Sequence, residues 1–239
     1  HRAAQVELIN NSKAAATYRI TLVNRRMTDE GRFEPVAAAL DGELFADPML
    51  RYSPRQITLQ PGTAQTVRLM LRKSAALADG EYRSHLHFEK LADADASTSI
   101  EAQGKPDDIG VRLTALVGAS MPVIVRHGAT SATVGLSNLA LHKAEAGRAP
   151  ALALQFDRGG NSSVYGDLHV TFTPDGGAPH VLARAGGIAV YSPNTLRRAS
   201  LPLQVPQGMA LARGTLNVVY RHRADAGGGV MAQAALPLP

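Results

Sequence analysis

Apolar and polar residues alternate with a period of two through most of this chain. Val6 and Leu8, then Tyr18, Ile20 and Leu22, then Val67, Leu69 and Leu71 occupy every second position. Side chains on a strand point to opposite faces in turn, so this pattern predicts half-buried β-strands. Turn-forming clusters separate the runs at Asn10-Asn11-Ser12, Asp41-Gly42, Gln60-Pro61-Gly62 and Asp79-Gly80. The second half repeats the scheme. Leu152, Leu154 and Phe156, then Leu168, Val170 and Phe172, Leu201, Leu203 and Val205, and Leu216, Val218 and Tyr220 alternate, and a last strand is expected near residues 230–238. Gly186-Gly187 and Gly227-Gly228-Gly229 read as hairpin turns. Short strands at this spacing, with no convincing amphipathic helix beyond two turns, predict an all-β sandwich architecture.

The longest alternation lies at residues 109–125. Ile109, Val111, Leu113, Ala115, Val117, Ala119, Met121, Val123 and Val125 hold every odd position. A strand usually runs five or six residues, so one core cannot easily use the whole stripe. Pro122 has no N–H and confines its part of the run to an edge, a bulge or a strand start. An overlong apolar edge strand invites pairing unless a partner covers it. It is therefore either an ordinary long strand or a strand offered to a partner. Residues 92–108, rich in polar and small side chains, are expected to form a mobile loop before it. The alternation stops at Arg126-His127-Gly128-Ala129, which sets an expected domain boundary at 127/128. A hinge so short predicts two domains at a fixed angle.

On the strand expected at Tyr82–Phe88, Tyr82, Ser84, Leu86 and Phe88 share a core face, with Tyr82 placed to form a tyrosine corner. Arg83, His85 and His87 share the other face. Three readings stay open for them: a solvated face, an anion-binding surface, or a zinc pair from His85 and His87 that lacks an evident third ligand.

Composition narrows the classes. At 239 residues the chain suits two domains, and with 5% aromatic residues and no Trp their cores rest on Val, Leu, Ile and Ala. The absence of Cys removes disulfides, thiolate metal sites and cysteine nucleophiles. No apolar run reaches the roughly 20 residues of a spanning helix, so no membrane insertion is expected. The charge of +5 admits an acidic partner, but the arginines are spread among strands rather than gathered beside aromatics, so no nucleic acid is expected. Phosphate-cradling loops, a nucleophile elbow and zinc-protease motifs are missing, and neither an enzyme nor a cofactor is expected. The chain opens at His1-Arg2 already in alternation, which reads as the interior of a domain whose first strand lies upstream.

Three segments and one motif carry a family resemblance. They are Tyr52-Ser53-Pro54-Arg55-Gln56-Ile57-Thr58-Leu59-Gln60-Pro61-Gly62 with Gln65-Thr66-Val67-Arg68-Leu69, then Gly80-Glu81-Tyr82-Arg83-Ser84-His85-Leu86-His87-Phe88, Ala119-Ser120-Met121-Pro122-Val123-Ile124-Val125-Arg126, and Asn161-Ser162-Ser163-Val164-Tyr165-Gly166-Asp167. Together they resemble the fimbrial chaperones of the PapD-like superfamily, most of all the archaic branch of the chaperone–usher pathway. The resemblance covers essentially the whole chain. It implies two immunoglobulin-like β-sandwiches in a boomerang, residues 1–127 and 128–239, in a periplasmic protein. The implied partners are pilin or fimbrial subunits and an outer-membrane usher. It also implies that Ile109, Val111, Leu113, Ala115 and Val117 form the strand lent to a subunit. Best-known members hold the subunit's terminal carboxylate with an Arg on the first strand and a Lys before the hinge. Here the first strand is not seen and Pro122 falls at the Lys position, so Arg83 and His85, with Arg126, are the expected substitutes. The alternative functions are a two-domain adhesion or fibre-component module, which would accept a strand rather than lend one, and a carbohydrate-active accessory protein.

Overall fold

The structure is a computed structural model that describes residues 2–74, 76–92, 118–144 and 148–239. Among the described residues the strands follow in order: β1 (Arg2–Ile9), β2 (Ala16–Val23), β3 (Arg25–Met27), β4 (Phe33–Pro35), β5 (Leu50–Ser53), β6 (Gln56–Leu59), β7 (Ala64–Leu71), β8 (Gly80–Lys90), β9 (Gly118–His127), β10 (Ala132–His142), β11 (Ala151–Gly160), β12 (Val164–Pro174), β13 (His180–Val190), β14 (Leu196–Pro202), β15 (Gly214–His222) and β16 (Val230–Leu238). The chain divides into two compact units, and both are β-sandwiches of the immunoglobulin-like kind.

The first unit comprises His1–Arg25, Leu44–Ala78 and Tyr82–Val125. One sheet has the order β1-β7-β5 and the other β6-β2-β8-β9. Their inward positions meet in a core of Ile20, Ile57, Leu59, Val67, Leu69, Leu86 and Phe88, of which all but Ile57 and Leu59 are residues that the alternation singles out. A second cluster, Ala46, Met49, Leu50, Tyr82 and Val125, fills the end of the sandwich. Tyr82 makes the tyrosine corner: its hydroxyl donates to the Ala78 carbonyl at 2.9 Å.

The second unit comprises Arg26–Glu43, Asp79–Glu81 and Arg126–Pro239. Sheets β10-β11-β14 and β13-β12-β15-β16 enclose a core that includes Leu152, Phe156, Leu168, Phe172, Leu216 and Tyr220. The Phe156 and Tyr220 rings meet edge to face at 5.0 Å, a favoured aromatic geometry. The short hairpin of β3 and β4 packs here, with Met27 buried beside Ala189 and Tyr191.

Gly186-Gly187 differs from its expected role as a hairpin turn, because both residues lie inside β13. Pairing with β12 shifts register there, so two residues stand opposite Asp167. Gly187 takes φ 71°, a conformation open to glycine, and its N–H donates to Asp167 Oδ1 at 2.9 Å. A glycine pair can serve a bulge as well as a turn, and only the partner strand decides which. Gly227 and Gly228, both with positive φ, do turn the chain between β15 and β16.

Candidate functional site

The expected lending strand and the loop before it fall mostly outside the description. Ile109, Val111, Leu113, Ala115, Val117 and residues 93–108 are not among the described residues. What is described is the continuation of the same stripe in β9. That strand closes the order β6-β2-β8-β9, so among the described residues only one of its edges is paired. Val123 and Val125 turn into the core of the first unit, as odd positions should. Towards the start of β9 the stripe emerges: Ala119 is exposed and Met121 is 36% exposed. On the opposite face Ile124 is 38% exposed, and Pro122 withholds its N–H from pairing. Apolar side chains exposed on both faces of an edge strand invite a covering partner, while Pro122 blunts pairing along its own part of the edge.

Arg83 and His85 are both buried, at 6% and 2% exposure. They share the face of β8 opposite Leu86 and Phe88, and His85 lies across from Val23 in β2. Neither belongs to a solvated face. The Arg83 N–H donates to the Leu44 carbonyl at 2.9 Å, and its Nη2 donates to the Arg25 carbonyl at 3.4 Å. Burial, and then the positive charges of Arg83 and Arg25, push the His85 imidazole down to about 4. The ring is therefore neutral near pH 7, and the fixed positive charge on this face is carried by arginine. His87 follows on the same face with its ring under Gly118, where a Cβ would stand 3.0 Å from Cε1. Among the described residues no third metal-ligating side chain joins the two histidines.

Arg126 belongs to the second unit and is already engaged. Its Nε and Nη2 both lie 3.1 Å from Glu81 Oε2. Glu81 has a fully buried side chain and also accepts from the Ser163 N–H at 3.1 Å and from the Ser163 hydroxyl. A buried carboxylate is tolerable only with such partners. Arg158 adds a positive charge nearby while its guanidinium donates to the carbonyls of Gly160, Ser162 and Asn194. The Asn161-Ser162-Ser163 motif thus has a structural task, since the Asn161 side chain also spans the Ser131 N–H and the Ala129 carbonyl. Glu81 itself was missed by sequence reasoning. A lone acid beside a glycine turn looks like any solvated residue until its partner 82 positions later is in place.

No family model matches the chain, and no curated protein matches its sequence. Solved structures do match. The chain is similar to fimbrial chaperones. The class 5 fimbriae chaperone CfaA shares 14% identity at a TM-score of 0.42, over 100% of this chain and 93% of its own. The CupB2 chaperone of Pseudomonas aeruginosa shares 10% at 0.45, over 100% and 94%. A chain from the Salmonella enterica SafA pilin–SafB chaperone complex shares 13% at 0.43, over 99% and 89%. At such identities nothing about partners carries over from those proteins to this one.

Proposed function

We propose that this protein is a periplasmic chaperone that holds a fimbrial subunit by lending it a β-strand and delivers it to an outer-membrane usher, without catalysis or cofactor. The observation that carries this reading is β9, an edge strand paired on one side among the described residues, whose apolar stripe continues upstream in the sequence through Val117, Ala115, Leu113, Val111 and Ile109. A subunit lacking its last strand exposes an apolar groove. Main-chain hydrogen bonds along the lent strand supply affinity, and its alternate side chains fill the groove's pockets. Each fully buried Val or Leu contributes roughly 1.5–3 kcal/mol, so three or four anchors stabilise a subunit that cannot close its own core. Arg83 and His85, in the first unit, are the proposed anchor for the subunit's terminal carboxylate. Arg83 supplies charge, and the neutral imidazole of His85 supplies a hydrogen-bond donor.

Co-expression with a fimbrial subunit that lacks its terminal strand tests this directly. A one-to-one complex on size exclusion with light scattering is the expected result. A subunit that aggregates alone while this protein elutes unaccompanied would overturn the proposal, and so would capture that requires a detachable strand from the subunit itself.

A further inference from the structure

The outer face of the β1-β7-β5 sheet carries a hollow that lies on the other sheet of the first unit from β9. It measures about 640 Å³ and is lined by Ala3, Gln5, Arg51, Ser53, Arg68 and Met70 among others. The register explains why these residues gather. Ala3 and Arg51 both lie across from Met70, and Gln5 and Ser53 both lie across from Arg68. The two small residues in the outer strands leave the middle strand's Met70 48% exposed on the floor.

The charged side chains that line the hollow are arginines, although Glu7 stands on the same face of β1 two residues beyond Gln5. Among the described residues neither Arg51 nor Arg68 forms an ion pair with a carboxylate, and Glu7, the one acid in the three strands, lies across from Thr66. Arg51 is held in place, since its Nη1 donates to the Pro48 and Leu50 carbonyls at 3.2 and 2.8 Å. At the rim Arg55 stacks on the Tyr52 ring at 4.9 Å and donates to its hydroxyl at 3.1 Å. A fixed guanidinium with spare donors is prepared for a carboxylate.

We propose that this hollow binds an acidic, extended peptide segment with two carboxylate side chains two residues apart. The spacing is the reason. Arg51 and Arg68 are diagonal neighbours on adjacent antiparallel strands, a relation that separates them by about 7–8 Å. Side chains two apart on an extended segment are about 6.6 Å apart. The match lets one guanidinium meet each carboxylate, and the apolar floor at Met70 receives an aliphatic neighbour from the same segment. A single free anion would use neither the second arginine nor the floor.

The test uses the full chain and a capped heptapeptide with two glutamates two residues apart between valines, followed by NMR titration. Amide shifts at Arg51, Ser53, Arg68 and Met70 are expected to saturate together. The same peptide with glutamines should bind at least about tenfold more weakly, as should Arg51→Glu and Arg68→Glu proteins whose melting curves are unchanged, and affinity should fall with salt. Equal binding of the glutamine peptide, equal binding by both variants, shifts that map elsewhere, or no shifts at all would each overturn the proposal. Inorganic phosphate producing the same shifts at the same concentration would overturn it too, by reducing the hollow to a simple anion site. None of these residues lies on β9, so failure here leaves the chaperone reading standing, and the reverse holds as well.

Discussion

Burying His85 beside Arg83 and Arg25 keeps its imidazole neutral well below the pH at which a free histidine titrates. In the unfolded chain the ring takes up its proton near 6.5, whereas in the folded chain it resists until about 4. The unfolded state therefore binds more protons across that window, and stability falls as pH drops from about 6.5 through about 4. The loss is on the order of 3 kcal/mol at the acid end. Melting temperatures measured from pH 7 to 4 should show this decline in the wild type and a clearly shallower one in His85→Gln. Parallel declines would show that His85 keeps its proton equilibrium on folding. In the sequence Arg83, His85 and His87 were legible as one strand face, but the burial of Arg83 and His85 was not. Alternation tells which residues share a face, and nothing local tells what covers it.

Among the elements, the strands with clean alternation were legible, because their pattern comes from a steric period that needs no partner. β2, β7, β8, β11, β12, β15 and β16 form where Tyr18, Val67, Tyr82, Leu152, Leu168, Leu216 and Val230 mark them. β3, β4 and β13 were not legible. The first two are three-residue strands set by their hairpin, and β13 is interrupted by its glycine bulge. The element that matters most for function is the stripe entering β9. If it is lent to a subunit, Leu113→Glu puts an unpaired charge into an apolar groove at a cost of several kcal/mol. Subunit capture should vanish while the protein's own melting temperature stays within a degree or two. Thr114→Glu, on the opposite face, should keep capture. Unfolding by Leu113→Glu with a harmless Thr114→Glu would return the stripe to the protein's own core.

Across the whole molecule, membership of the compact units does not follow chain order. Residues of Arg26–Glu43 and Asp79–Glu81 fold with Arg126–Pro239. Met27 is buried beside Ala189 and Tyr191, Phe33 packs on Tyr191 at 5.8 Å, and Asn194 Nδ2 donates to the Met27 carbonyl at 2.9 Å. A fragment of residues 126–239 loses all of these and also leaves Ser163 without Glu81. It should unfold at a lower denaturant concentration than the same unit in the full chain, with a loss of about 3 kcal/mol from the buried methionine and ring contacts. An unchanged midpoint would show that the hairpin rests on the unit without stabilising it. The sequence by itself determined the all-β class, those core residues of both sandwiches that lie on cleanly alternating strands, and the stripe that ends in β9, because each follows from side-chain periodicity and turn chemistry along neighbouring residues. Only the tertiary structure decided that Glu81 is held by Arg126 and Ser163, that His85 is buried beside two arginines, and that Arg51 and Arg68 flank one hollow. Those outcomes depend on groups from separate stretches of chain meeting in space, where burial and charge act over ångströms and sequence separation counts for nothing.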